Sequence, residues 1–107
     1  WLLAKKNGYL DSMESLLKHL SQLHPTKFKK LLSGVGSLGL TGVAQLHDQV
    51  SALRLVVFVD RLYEQQIPIR TSGEVAATEI FSKEMLNGGY RKKYLRAVSR
   101  LGALCEL

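Results

Sequence analysis

Residues 48–66 constrain this chain more than any other stretch. They hold nineteen positions without a proline or glycine, and among them the apolar run Leu55-Val56-Val57-Phe58-Val59 followed by Asp60. The run alone would suit a buried strand, because valine and phenylalanine fit a pleated, half-buried surface. The apolar pattern continues through Leu62 and Tyr63, however, and that unbroken length suits a helix far better than a strand. Asp48 is a good N-cap. The stretch therefore predicts a helix over 48–66, apolar around most of its girth and so buried on more than one side. Pro68 follows, and the residues 67–72 read as a strand. Leu38 and Leu40, set among glycines and serines, mark another near 37–41, although glycine weakens a strand. Strand, helix and strand at this spacing make a parallel crossover unit, right-handed by the general rule. The expected fold class is α/β: a small module with a short parallel sheet (strands near 37–41 and 67–72), a buried crossover helix (48–66) and flanking helices.

The flanks follow from their own patterns. Residues 1–10 carry Gly8 and two lysines and read as a leading loop. A first helix is expected over 12–24, with Asp11 as its cap and Glu14 completing a capping box. Met13, Leu16, Leu17, Leu20 and Leu23 supply its apolar face. Pro25 stops it and fits the first turn of a second helix over 25–32, where its missing N–H costs nothing. Residues 74–87 should be a loop with one or two helical turns burying Ile80, Phe81, Met85 and Leu86. After Gly88 and Gly89 a last helix is expected over 90–106. At ~100° per residue, Tyr90, Tyr94, Ala97, Val98, Leu101, Leu104 and Cys105 share its core stripe, and Lys92, Lys93, Arg96 and Arg100 lie on a flank beside it.

A chain of 107 residues is one domain at most. Its formal charge of +6 favours a polyanionic partner, although basic charge also serves solubility. A single cysteine, Cys105, excludes an internal disulfide and fits a reducing cytosol. No run approaches ~18 uninterrupted apolar residues, so no transmembrane segment is expected. The chain opens at Trp1 without a signal-peptide pattern and reads as part of something longer.

The run before Asp60 looks like the magnesium-binding strand of P-loop ATPases, but that chemistry needs a GxxxxGK[ST] loop, and the sequence contains none. Gly34, Gly36, Gly39 and Gly42 lack the lysine and spacing of a phosphate loop. His19 and His24 are five apart and diverge on a helix, so no metal site is expected. Cys105 lies on the core stripe with no base beside it. No catalytic residue can be assigned. The last helix is the strongest candidate: two glycines precede its N-terminus, which favours an anion, while Arg91, Lys92 and Lys93 sit in its first turn, where cations oppose the dipole. A nucleic-acid surface would want exposed aromatics among these charges, and Tyr90 and Tyr94 are expected in the core.

Three stretches look familiar. Val59-Asp60-Arg61-Leu62-Tyr63-Glu64 resembles the VDxLYD segment of the ZapE-type AAA+ ATPases, cell-division ATPases related to the mitochondrial Afg-like proteins. Residues 67–73 resemble the strand that follows it, and Arg96-Ala97-Val98-Ser99-Arg100-Leu101 resembles the family's RTxSRL signature. The likeness is greatest to the actinobacterial branch and spans most of 16–104. It implies the C-terminal piece of a P-loop AAA+ ATPase, with the P-loop and magnesium aspartate upstream. ATP and magnesium would belong to the intact parent, with none bound to this region and no hydrolysis by it alone. The region would dock on its own upstream core. Its candidates for nucleotide sensing or anion binding are Arg96, Arg100, Ser99, Lys92 and Lys93, with Arg96 favoured for the phosphates. Arginines open to one surface would mark a nucleotide or docking side, and arginines buried in ion pairs a structural role. The resemblance further implies a cytoplasmic protein, peripheral to the membrane or septum, that forms homo-oligomers and meets cell-division proteins. Ala97 in place of threonine and Glu64 in place of aspartate depart from the family pattern. The alternative is a basic interaction module for nucleic acid or an acidic protein.

Overall fold

In the computed structural model, which describes residues 8–107 and the backbone of 3–5, the long apolar stretch is a helix, α3 (Gln49–Glu64). Its valines lose a few tenths of a kcal/mol each in helix propensity. Burial outweighs this, since Ala52, Leu55, Val56, Phe58, Val59 and Leu62 are all inside. Asp48 caps the helix as expected. Its Oδ2 accepts the Ser51 hydroxyl at 2.6 Å and the Ser51 backbone N–H at 3.0 Å, and these bonds hold its carboxyl below the usual range.

The far end closes in a Schellman motif. The Ile67 N–H reaches the Leu62 carbonyl at 3.1 Å and the Gln66 N–H reaches that of Tyr63 at 3.1 Å. Gln66 takes the left-handed conformation this needs, φ 52°. A side chain there is strained, so Gln66→Gly should raise the urea midpoint by the equivalent of about 0.5–1 kcal/mol. An unchanged or lower midpoint would show that the Gln66 side chain, which donates to the Tyr63 carbonyl at 2.8 Å, offsets its own strain.

The sheet has the order β1 (Leu3–Lys5), β2 (Gly8–Ser12), β3 (Ser37–Val43), β4 (Ile69–Gly73). β2, β3 and β4 run parallel, and β1 pairs antiparallel with β2. Register sets Tyr9 beside Leu38 and Leu38 beside Ile69, with Leu38, Leu40 and Ile69 pointing into the core. The alternate positions Leu10, Gly39 and Arg70 fall on the other face. The two expected strands and the crossover helix are thus present, with shifted ends. The expected leading loop is corrected: Gly8–Ser12 is a strand. Its few apolar side chains give no local signal, and it is held by pairing to residues 37–41, about thirty positions away. The remainder of that expected loop, residues 1, 2, 6 and 7, lies outside the described residues.

α1 (Met13–Ser21) starts one residue later than expected, because Ser12 is the cap: its Oγ accepts the Ser15 N–H at 3.0 Å. Asp11 instead accepts the Ser12 N–H. The helix also ends at Ser21, short of 24, since His24 caps the next turn by accepting the Thr26 N–H. That turn, the 3-10 stretch Pro25–Lys27, leads into the short α2 (Phe28–Leu31). Phe28 meets Phe58 edge to face at 6.0 Å, which ties α2 to α3 at the centre of the core.

After β4, a 3-10 turn (Ala77–Glu79) and α4 (Lys83–Leu86) replace an extended loop, as expected. Ile80, Phe81 and Met85 are buried, and Leu86 is half-buried. The Leu46 N–H donates to the Ile80 carbonyl at 2.7 Å and fixes this segment to the loop after β3. The last helix, α5 (Arg91–Cys105), buries Tyr94, Ala97, Leu101 and Leu104. Val98 and Cys105 are half-buried. Tyr90 departs from expectation: it precedes the helix as N-cap and is 41% exposed.

Candidate functional site

α5 packs on α3, and this contact assembles the site. Arg96 and Arg100 are four apart, so they lie ~40° apart and one turn along the same helix face. Asp60 projects from α3 toward them. Its Oδ2 accepts from Arg96 Nη2 at 2.9 Å, and its Oδ1 accepts from Arg100 Nη1 at 2.6 Å. Both carboxylate oxygens are therefore engaged by guanidinium groups. One turn further along α3, the Tyr63 ring lies under the Arg100 guanidinium, 4.8 Å from its centroid.

The three members differ in access. The Asp60 side chain is only 13% exposed, that of Arg100 30% and that of Arg96 45%. Exposure at this level limits each ion pair to about 0–1 kcal/mol. Geometry is the more useful property here. One carboxylate against two guanidiniums leaves a net positive charge, and Arg96 keeps donors turned to solvent. The expectation of open arginines or buried ion pairs thus resolves differently for each. Arg100 is held between a carboxylate and an aromatic ring, whereas Arg96 is aimed by its carboxylate and remains accessible.

The other candidates stand apart from this triad. Ser99 is exposed on α5. Lys92 is exposed in the first turn. Lys93 turns to Tyr90, its Nζ 5.5 Å from the ring centroid. The sequence offers Asp60 as a helix-surface aspartate, as part of the family-like 59–64 stretch and through its likeness to a magnesium ligand, and none of these points to its pairing with the arginines. The only signal was that it and the arginines lie in separate family-like stretches, 36 and 40 positions apart. The structure now gives Asp60 a different task, since both its oxygens face cations. Among the described residues, no group of three or more His, Cys, Asp or Glu side chains could hold a metal ion.

Cys105 is half-buried beside the sheet. Burial pushes its thiol up, and Glu106 adds to this against the pull of Arg70 in the other direction. Arg70 also ties down the helix end, donating to the carbonyls of Cys105 at 3.1 Å and Leu107 at 2.5 Å. At pH 8 the folded thiol should therefore react with a disulfide reagent roughly tenfold or more slowly than the urea-unfolded chain. Equal rates would mean that the thiol is open and unperturbed.

No helix among the described residues is long and apolar enough to cross a membrane. Neither a curated protein nor a solved structure matches the chain significantly. A family model described as AFG1-like ATPase matches residues 3–106, which takes in every element of the fold and all three members of the triad. The chain belongs to the AFG1-like ATPase family.

Proposed function

We propose that this chain is the C-terminal region of a ZapE-type AAA+ ATP hydrolase, that it packs on the ATPase core, and that Arg96 is a sensor-type arginine reaching the nucleotide phosphates. The observation that supports it is the Asp60–Arg96–Arg100 cluster. The two stretches that most resemble the family, around Asp60 and around Arg96, meet there in space.

The division of labour follows from access and chemistry. Arg96 offers a guanidinium to charge that develops on a phosphoryl group. Asp60 orients it without burying it. Arg100, fixed by Asp60 and Tyr63, acts as the structural member. Ala97 is fully buried where the family signature has threonine, so this chain lacks a hydroxyl at that point of the helix interface. A phosphate oxygen fits this arrangement. Magnesium does not, since both Asp60 oxygens already bind guanidinium groups, whose positive charges would repel the ion. The P-loop and magnesium ligands would be supplied by the upstream core, and the region alone is inert toward ATP. Homo-oligomerisation, contact with cell-division proteins and a cytoplasmic location peripheral to the septum are carried by the resemblance alone.

The test is ATP hydrolysis by the parent protein with Arg96→Ala and Arg100→Ala. Loss of turnover with bound nucleotide retained supports the reading. Hydrolysis at the wild-type rate in Arg96→Ala would remove it, whatever Arg100→Ala does.

A further inference from the structure

A second polar site lies at the other end of α5, away from the triad. A cleft of about 370 Å³ opens between the loop after β3 and the start of α5, with His47, Glu84, Tyr90 and Tyr94 among its walls. A second hollow of about 620 Å³ adjoins it, lined by Arg91, Lys92 and Lys93. The two share Gly88, Gly89 and Tyr90 among their walls, so one loop borders both lobes. Each lobe is of the size that small-molecule clefts have.

The lobes differ in chemistry. The first is aromatic and able to form hydrogen bonds. Tyr94 is 2% exposed, and its phenolic oxygen is buried without a hydrogen-bond partner among the described residues. Buried polar atoms are normally satisfied, and an orphan at the wall of a cleft points to an absent partner. Burial, and secondarily the neighbouring Tyr90 phenol, push the Tyr94 hydroxyl up, so it stays protonated and can donate. Glu84 is held ionised by its own backbone N–H, the Ser82 hydroxyl and His47, and can accept from an amino group. Tyr90 presents a half-open ring with the Lys93 ammonium over it. The second lobe is cationic and lies at the N-terminus of a fifteen-residue helix that has no acidic residue in its first turn and no side-chain cap. Three cations there oppose the helix dipole, an arrangement that an anion would relieve.

We propose that the two lobes together bind a nucleoside phosphate unit, with the base against the Tyr90 ring and the Tyr94 hydroxyl and the phosphate over the N-terminus of α5 and the side chains of Arg91, Lys92 and Lys93. The aromatic lobe alone would suit many ligands, and the cationic lobe alone any anion. Their junction at Tyr90 selects a planar, hydrogen-bonding head joined to an oxyanion. The unit can come from a free nucleotide or from a single strand of nucleic acid, in which stacking on aromatic rings between basic groups is the usual mode. The pairing of exposed aromatic and basic groups arises because Tyr90 lies outside the core.

The experiment titrates the 107-residue chain with AMP and, separately, with a fluorescent oligodeoxyadenylate at low salt. Variants are Tyr90→Ala, Tyr94→Phe and the double change Lys92→Ala with Lys93→Ala. Tyr90→Ala should weaken binding about tenfold. Tyr94→Phe should weaken it severalfold while leaving the melting temperature unchanged or raised, since it removes an unpaired buried hydroxyl. The double lysine variant should flatten the salt dependence of strand binding by roughly 1.4 in log–log slope, about 0.7 for each lost phosphate contact. Binding of AMP identifies a free nucleotide as a sufficient ligand, and binding of the strand alone identifies nucleic acid as the source. Either supports the two-lobed site. Failure of both probes to bind overturns it. So does a result in which only the lysine variant has an effect, which would mean charge without a site. A Tyr94→Phe chain that melts lower but binds normally would also overturn it. None of these changes touches Arg96 or Arg100, so failure here leaves the sensor reading standing.

Discussion

Gly73→Ala is expected to destabilise the fold by about 3 kcal/mol or more, seen as a fall of roughly 15 °C in melting temperature. Gly73 ends β4 at φ +149°, a conformation that side chains rarely adopt. A Cβ there would overlap the backbone of Val43, meeting its nitrogen, carbonyl oxygen and Cα. Those atoms cannot turn aside as a side chain could. Val43 lies in the sheet itself, opposite Gly73, where the register shifts between Leu40 and Val43. Its carbonyl also accepts the Glu74 N–H at 2.8 Å, so the chain leaves the sheet through this contact. Relief would require β4 to part from β3, and Ile69 and Val43 would lose their burial. Gly34 and Gly42 provide the comparison. Both have positive φ, yet a Cβ on either meets nothing within 4 Å. Alanine there should cost only about 1 kcal/mol, from conformation alone. If Gly73→Ala melts within a few degrees of Gly42→Ala, the close approach of the two strands is not what holds this corner.

How far the sequence could reveal this fold depended on how local each cause was. α3 was legible because its cap, its length and its apolar period all lie within one stretch, and together they overrode the strand preference of Val56, Val57 and Val59. The strands at 37–43 and 69–73 were legible through their flanking breakers, although their ends shifted by one or two positions. β2 was not, because what makes Gly8–Ser12 a strand is its partner β3, and pairing leaves no mark on five residues with two apolar side chains. Tyr90 was assigned to the core stripe by periodicity, which extrapolated a helix one residue past its beginning. The site was legible by halves. The arginines stood out as a basic flank and by resemblance, and Asp60 stood out through a likeness to another motif. Their contact depends on which faces of α3 and α5 meet, a property of the packed core that charge spacing along either helix does not encode. The unpaired Tyr94 hydroxyl was likewise invisible, since sequence cannot say whether a core tyrosine finds a partner.

On the proposed function, Arg96→Ala in the parent protein is expected to lower kcat for ATP by about two to three orders of magnitude, the effect of removing one donor aimed at developing charge. KM for ATP should change far less, because the contact strengthens as charge develops. Arg100→Ala should cost nearer tenfold. It frees one oxygen of Asp60 and loses the Tyr63 stacking, so it disturbs the aim of Arg96 without removing the guanidinium. Asp60→Asn should fall between the two, since an amide keeps one acceptor but loses the charge that holds both arginines. Lysine tells the roles apart. At position 100 it should restore much of the loss, because an ammonium can still pair with Asp60. At position 96 it should restore little, because a point charge cannot both bind the carboxylate and present a planar fork to a phosphate. Stability provides the control: with guanidinium groups this exposed, each arginine change should alter the unfolding free energy by about 1 kcal/mol or less. A purely structural triad would give the opposite pattern, with turnover falling only as far as folded protein is lost and Arg96→Lys active. That result, or a wild-type rate in Arg96→Ala, would assign the cluster to holding α5 on α3 and would move the search for the sensor elsewhere in the protein.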